Sequence, residues 1–405
     1  MNSQAAGAGP TTDGEKRQSF LIVGSGTCFL SGISVYTARL AGALSARNRV
    51  AVILMRRLLP ARLYPGHERV GRDLARLEYG SSAVFDGLDW YWVPSMPRAL
   101  AFLARRRPDI VVFQWWTGSV LHSYLVLAAA ARLLGCRIIV EFHEFQDTGE
   151  ERIRFARWYV GIIGPPFMRL ATAFTVHSNE DTALLKERIS IGRRPVYTLP
   201  PHGPYDHYQV VKRSAAASQV SETVCRLLFF GVIRPYKGLE DLIQAFDAIP
   251  EDEIDGFWLT IVGETWEGWD LPERLIAASS HRDRISFVNR YVHDDEVDSF
   301  FSRSDVVVLP YRRSAMSGPL QIAMAYGLPV IATDVSGLVT MTQDYPGAVL
   351  VAPGDVQRLS TAIREAPKTK GARFSHPTSW DATARVYERI ANTLRNGSAT
   401  PEAVS

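Results

Sequence analysis

The sequence predicts an α/β protein built from two doubly wound domains, each a parallel sheet wrapped by helices. Three observations lead there. Short β-branched runs alternate with amphipathic segments along most of the chain, the pattern of right-handed βαβ crossovers. That pattern stops near residue 200 in turn formers and polar residues, then starts again at Arg226. The chain, at 405 residues, is also too long for one small core.

Composition narrows the class. The residues are 46% apolar and 21% charged, ordinary for a globular enzyme, and the formal net charge of +3 gives no reason to expect nucleic acid. Cys28, Cys136 and Cys225 are far apart and odd in number, which suggests neither a disulfide framework nor a zinc site and fits a reducing cytoplasm. No segment has the length of a membrane span: Leu121–Leu134 is apolar but short and is closed by Arg137. Residues 1–18 read as a disordered leader, because the apolar run after them is only strand-length.

The first domain is expected over 19–206. Ser19–Val23 is a strand, GSGTCFLSGIS a glycine- and serine-rich turn, and Val35–Leu44 a helix. The turn is not a full GxGxxG, and no acidic residue ends the next strand, Val50–Met55, so a dinucleotide site is not supported. Ser31-Gly32 is either part of a tight turn or a close approach to a ligand held by the other domain. Further strands are expected at Leu88–Val93, Ile110–Gln114, Arg137–Phe142, Phe174–His177 and Val196–Leu199, with helices at Pro97–Arg106 and Val120–Leu134 between them. Glu141, His143 and Glu144 sit where a strand ends. HEF is not HExxH and no second histidine lies a helical turn away, which argues against a catalytic zinc. His143 is then either a polar rim residue or a hydrogen-bond partner for a sugar hydroxyl or leaving phosphate. Glu150–Leu170 mixes Arg152, Arg154, Arg157 and Arg169 with Phe155, Trp158, Tyr159 and Phe167. It reads as an amphipathic helix on its own sheet with arginines reaching outward, or as a peripheral contact with an anionic membrane surface.

Residues 207–222 read as a linker, and the second domain is expected over 223–378. Arg226–Phe230 is its first strand. Gly231 lets the chain turn sharply, and Arg234 and Lys237 follow at the mouth of a helix, Leu239–Phe246. Two cations between a strand end and a helix suit a diphosphate, arginine as a fork and lysine as a point charge. Trp258–Val262 and Ile285–Val288 are strands, and Asp294–Ser302 is a helix. Asp305–Pro310 is a buried strand followed by a polar loop to Ser317. Ser317-Gly318-Pro319 has the residues of a helix start, and Gly327 and Pro329 close that helix before the strand Val330–Thr333. A helix starting at the carboxyl end of a parallel strand aims its amides at the crevice there, a place for phosphate. Ala348–Val351 and a helix to about Glu365 follow. Residues 379–395 form a last amphipathic helix, and 396–405 a polar tail.

The stretches LLFFGVIRPYKGLEDLIQAF, WLTIVGE, ISFVNRYV, SDVVVLPY and AMAYGLPVIATDVSG, in this order and spacing, resemble the family 4 glycosyltransferases of the GT-B fold, retaining enzymes that use nucleotide-diphosphate sugars. The N-terminal half matches more loosely, through GSGTCFLSGISVYTARLAGAL and IIVEFHE, and SWDATARVYERI resembles the family's closing helix, which packs back on the first domain.

The resemblance implies two Rossmann-like domains facing each other across a cleft. Arg234 and Lys237 would hold the donor diphosphate with the amides of Ser317 and Gly318. Tyr291 and Val292 would meet the nucleobase mainly through backbone, His143 would face the transferred sugar, and Gly32 would lie in the N-terminal glycine loop. Two glutamates common in the family fall at Ser314 and Ile322, neither a carboxylate. Gln321, within an SGxxQ-like pattern, is the residue that would replace a ribose contact.

The expected activity is transfer of a hexosyl unit from a UDP- or GDP-sugar to a glycan, lipid-linked or small-molecule acceptor. Configuration would be retained, with no cofactor and no metal. No DxD-like pair lies in a fitting loop, since Asp294-Asp295 starts a helix. A nucleotide-sugar 2-epimerase and a non-catalytic partner subunit are the alternatives, the second because both glutamates are missing. The expected location is cytoplasmic, with peripheral contact at the inner face of the membrane through 150–170.

Overall fold

The computed structural model describes residues 17–26, 32–57, 77–90, 92–143, 154–200, 203–205, 208, 223–266, 268–314 and 317–396. Ser31, Glu144 and most of the expected linker lie outside them. Among the described residues two parallel sheets are formed. The first contains β1 (Ser19–Ser25), β2 (Arg49–Arg57), β3 (Ala83–Asp89), β4 (Ile110–Trp115), β5 (Arg137–Phe142), β6 (Ala173–Val176) and β7 (Val196–Thr198). Its order is β3-β2-β1-β4-β5-β6-β7. The second contains β8 (Cys225–Phe230), β9 (Phe257–Val262), β10 (Ile285–Val288), β11 (Val306–Leu309), β12 (Val330–Thr333) and β13 (Ala348–Val351), in the order β10-β9-β8-β11-β12-β13. Every strand pair is parallel.

The central strands are apolar on both faces because helices cover both. All of β1 and of β11 is buried, whereas β10 and β13 lie at sheet edges and stay partly exposed. Around the first sheet run α1 (Gly32–Ser45), α2 (Ser95–Arg106), α3 (Leu121–Leu133), α4 (Arg154–Leu170) and α5 (Asn179–Arg188). Around the second run α6 (Leu239–Asp247), α7 (Leu271–Ala278), α8 (Asp294–Phe301), α9 (Gly318–Ala325), α10 (Ser336–Thr342) and α11 (Val356–Glu365). In each sheet the winding reverses beside the first strand, at β1/β4 and at β8/β11. Loops at the carboxyl ends of those pairs diverge and leave a crevice.

Two expectations need correction. The strand expected at Leu88–Val93 is Ala83–Asp89 instead. Trp92 has φ 67°, outside the extended region, and Pro94 follows it. AVFDGLD looks poor for a strand because β3 is an edge strand, with Val84 exposed. In α4 the aromatics do not all pack inward. Phe167 is fully buried, but Phe155 and Trp158 are 70% and 61% exposed and lie against each other. No helix among the described residues is long and apolar enough to cross a membrane.

The last helix, α12 (Trp380–Asn396), leaves the second domain and lies along α1. Trp380 does most to fix it. Its ring stands edge-on to Tyr36 at 5.1 Å, its indole N–H donates to the Pro204 carbonyl at 2.9 Å, and Gly203 has no side chain to collide with it. Polar contacts flank it: Glu388 accepts from Arg47 and Asn48, and Gln18 donates to Asn392. Apolar burial and surface ion pairs differ in worth, so the two kinds of contact separate by mutation. Trp380→Ala should cost about 3–5 kcal/mol, and Glu388→Ala about 1 kcal/mol or less. The shift of the first domain's urea unfolding midpoint measures both.

Candidate active site

At the β8/β11 crevice the chain is shaped by glycines that no other residue could replace without movement. Gly263, after β9, has φ 151°, and a Cβ there would overlap the Gly231 carbonyl. The Gly231 amide donates to Val262 O at 2.9 Å, and that of Gly263 to Val288 O at 3.0 Å. This bare lip leads through Ile233, which bridges Thr265, to Arg234 in extended conformation and a 3-10 turn, Pro235–Lys237. Gly238 (φ 61°) then starts α6, pressed so close to the Pro310 carbonyl that a Cβ would not fit.

The expected cations therefore lie on a tight turn before α6. The first turn of α6 is itself occupied, by the buried carboxylates Glu240 and Asp241. Arg312, on the loop after β11, binds both: Nη1 reaches Glu240 at 2.6 Å, and Nε and Nη2 reach Asp241 at 3.2 and 2.8 Å. The Arg312 amide donates to Tyr236 O at 2.8 Å, so the two loops are joined. Lys237 is left with aromatic neighbours. Its ammonium lies 3.6 Å above the Tyr311 ring and 5.3 Å from that of Tyr236, and no carboxylate pairs with it among the described residues. Arg234 stacks 4.4 Å over Trp266, its Nε buried without a hydrogen-bond partner. Arg313, to which sequence reading assigned no role, stacks 5.0 Å over Tyr236.

The second wall is the start of α9. The Ser317 hydroxyl accepts from Leu320 N at 3.3 Å, a helix cap, while Gly318 is exposed and has no side chain to shield its amide. Pro319 sits against Gly231, whose missing Cβ would lie 3.2 Å from its ring. Gly231, Arg234, Lys237, Ser317 and Gly318 are thus brought to one crevice.

Other expected residues are placed differently. The Tyr291 carbonyl accepts from Arg290, which also grips Glu296, and Val292 is buried. Ser314 offers its carbonyl to Gly337 N at 3.1 Å. Ile322 is core, and Gln321 is also buried: its Oε1 meets His376 Nε2 at 3.0 Å, and its Nε2 has no hydrogen-bond partner.

In the first domain Gly32 opens α1, and His143 follows β5 as its amide donates to Trp115 O. His143 and Glu141, paired in the sequence at one strand end, belong to a buried polar group whose other members, Tyr36 and His177, sequence reading did not join to them. Glu141, fully buried, accepts from Tyr36 at 2.5 Å and from Gln114 at 3.2 Å. His143 and His177 each approach it at 3.5 Å, and Tyr387 of α12 lies beside Thr175. Burial alone would raise the Glu141 carboxyl, but His143, His177 and the Tyr36 hydroxyl outweigh it and hold the carboxyl low. Burial keeps His177 neutral. The second histidine comes from the neighbouring strand and not from a helical turn. Glu141, His143 and His177 together have the donor types for a divalent cation, although both Glu141 oxygens already accept hydrogen bonds. Gln114 and Glu141 are register partners in β4 and β5, and two polar residues in adjacent apolar strands were the signal available.

Two facing Rossmann-like domains with such a crevice define a GT-B architecture. Residues 31–202 match the model of the glycosyl transferase 4-like domain, and residues 212–385 that of glycosyl transferases group 1. Together these matches span most of the chain, which belongs among the GT-B glycosyltransferases of group 1. A GDP-mannose:glycolipid 4-beta-D-mannosyltransferase of Xanthomonas campestris is 30% identical over 40% of this chain, and the match spans only 47% of that relative. A 2-deoxystreptamine glucosyltransferase of Streptomyces kanamyceticus is 24% identical, over 74% of this chain and 82% of its own. Among solved structures, Anabaena HepE in complex with UDP superposes with a TM-score of 0.55 at 15% identity, covering 93% of this chain and 100% of that one.

Burial pushes the Lys237 ammonium down to about 8, with Arg234 adding to the shift. The unfolded value is about 10.4, so the sign is fixed. Below pH 8 lysine is charged in both states and the folded chain bears the cost of burial. That cost is relieved as pH rises from about 8 to 10.4. Anion binding runs the other way, because it needs the charged form. Affinity for a nucleotide-diphosphate sugar should fall about tenfold between about pH 7 and 9, with close to one proton taken up on binding at the higher pH. Calorimetry in buffers of different ionisation enthalpy checks this, and Lys237→Arg should abolish the proton uptake.

Proposed function

We propose that the protein transfers a hexosyl unit from a UDP- or GDP-sugar to a lipid-linked or other glycan acceptor, with retention at the anomeric carbon and without a metal. The observation that carries the reading is a pair of cations, Arg234 and Lys237, set at the β8/β11 switch point beside the start of α9, with no carboxylate paired to them among the described residues. Negative charge grows on the diphosphate as the glycosidic bond breaks. Preoriented cations and amides in a water-poor crevice lower that barrier. Ser317 and Gly318 supply the amides, Gly231 lets the backbone approach, and Tyr291 and Val292 border the base. His143, whose buried ring turns its Nε2 toward Glu141, stands at the carboxyl end of β5 on the side assigned to the sugar, with Gly32 at the edge of the first domain's loop. Gln321 and Ser314 complete the donor side through the segments they tie together.

The relatives support the substrate class, one acting with GDP-mannose on a glycolipid and another being a glucosyltransferase. HepE was crystallised with UDP. Location at the inner face of the membrane is part of the same reading: Arg154, Phe155, Arg157 and Trp158 of α4 are exposed and form a basic aromatic surface suited to anionic lipid.

A thermal-shift screen with UDP-, GDP- and dTDP-sugars should find one that stabilises the protein, since a ligand that binds only the folded state raises its melting temperature. With that donor, Arg234→Ala and Lys237→Ala should each lower turnover by about 10²–10³-fold. Near-normal turnover in both would place the diphosphate elsewhere. A product with inverted anomeric configuration would remove the retaining assignment, and release of an epimerised free sugar without acceptor would favour a 2-epimerase.

A further inference from the structure

Between α4 and the segment linking α5 to β7 lies a cavity of about 610 Å³ on which the donor chemistry makes no claim. Its floor is Trp115 and Phe142, rings stacked at 5.5 Å and 22° at the ends of β4 and β5. Val160 and Met168 of α4 form one wall and Ile189 and Ile191 the other. The space exists because α4 carries glycine where side chains would fill it. A Cβ on Gly161 would meet nothing within 4 Å, and one on Gly164 would first meet the Trp115 ring at 3.8 Å. The rim has the opposite character, with Arg169, Arg188 and Arg193 all exposed at the mouth. Arg194 is part of the wall: it stacks 5.0 Å from Phe174 and donates to the carbonyls of Met168, Ser190 and Ile191, which holds the linking segment in place.

We propose that this cavity holds the first part of the hydrocarbon chain of a lipid phosphate, with the phosphate at the arginine rim. An apolar slot under a ring of cations is complementary to an anionic amphiphile. Its volume is that of a small-molecule site, which runs from about 300 to 1,000 Å³. A free sugar seated there would leave its hydroxyls unpaired against Trp115 and Phe142, at a cost a hydrocarbon does not incur. The outer face of α4 presents Phe155 and Trp158 to solvent beside Arg154 and Arg157, the residue types that settle at a lipid headgroup layer, so a chain can pass from the bilayer into the slot. The inference stands apart from the transferase reading: the arginine rim lies at the ends of α4 and α5 and before β7, at the amino edge of the first sheet, away from the crevice.

The test is calorimetric titration of the full chain with farnesyl diphosphate, with farnesol and inorganic diphosphate as separate probes. Farnesyl diphosphate should bind at least about tenfold tighter than either probe, the signature of two complementary halves read together. Gly161→Leu, which fills the slot from an open helix position, should weaken it by about tenfold or more. Arg193→Glu, on the exposed rim, should weaken farnesyl diphosphate while leaving farnesol unchanged. The nucleotide-sugar thermal shift serves as the fold check and should be the same in both variants. Equal binding of farnesyl diphosphate and inorganic diphosphate, or unchanged binding in both variants, would overturn the proposal. Farnesyl diphosphate binding sensitive to Gly161→Leu without any nucleotide-sugar shift would uphold the slot and discard the donor reading.

Discussion

A lysine ammonium largely withdrawn from water, with no carboxylate paired to it among the described residues, sets the terms for the second domain. Such a group is costly to hold, and the folded chain tolerates it because aromatic faces stand under it and the backbone around it cannot relax. Tyr311 comes from the loop after β11 and Tyr236 from the turn that bears Lys237. Two carboxylates lie in the next turn of the chain, at Glu240 and Asp241, and either could have neutralised the lysine. Arg312 takes both of them, and in doing so joins the two loops that border the crevice. One guanidinium thus gives rigidity and at the same time draws both carboxylates away from the lysine. Gly231, Gly238 and Gly263 belong to the same arrangement, since each marks a place where two backbones meet too closely for a side chain.

The first domain treats charge in the opposite way. Glu141 is surrounded by donors, with Tyr36 and Gln114 on its oxygens and two histidines behind, so its charge is used up inside the protein. What it does for the cleft it does through His143, whose ring it faces. One sheet edge spends a carboxylate to position an imidazole, and the other withholds carboxylates from a lysine.

Much of this was legible in the sequence, and the reasons for the rest are physical. Buried parallel strands are continuous apolar runs, so β1, β5, β8, β11 and β12 could be read almost to the residue. The edge strand β3 could not, because one of its faces is wet and its AVFDGLD lacks the signal. Helix α5 was missed for a similar reason: in NEDTALLKER only Leu185 is buried, so it has almost no apolar face. The turn that bears Arg234 and Lys237 and the cap at Ser317 could be read because each is local, set within a few residues. His177 could not. It stands beside His143 only because β5 and β6 are neighbours in a register that pairs Glu141 with Thr175, and no spacing along the chain encodes that. The role of Arg312 was hidden in the same way, since its partner Asp241 lies 71 residues earlier and Glu240 one further.

The path of α12 has a consequence for the order in which the molecule is made. The first sheet is complete once Thr198 has been synthesised, yet Tyr36 and the side of α1 around it await Trp380 and Tyr387. While the second domain is still emerging, the first carries an unfinished surface, with a buried-type tyrosine and its carboxylate partner open to water. Closure comes with the final helix, so the histidine-bearing edge reaches its working form only after the donor domain exists. The chain cannot present one half of its cleft, finished, without the other.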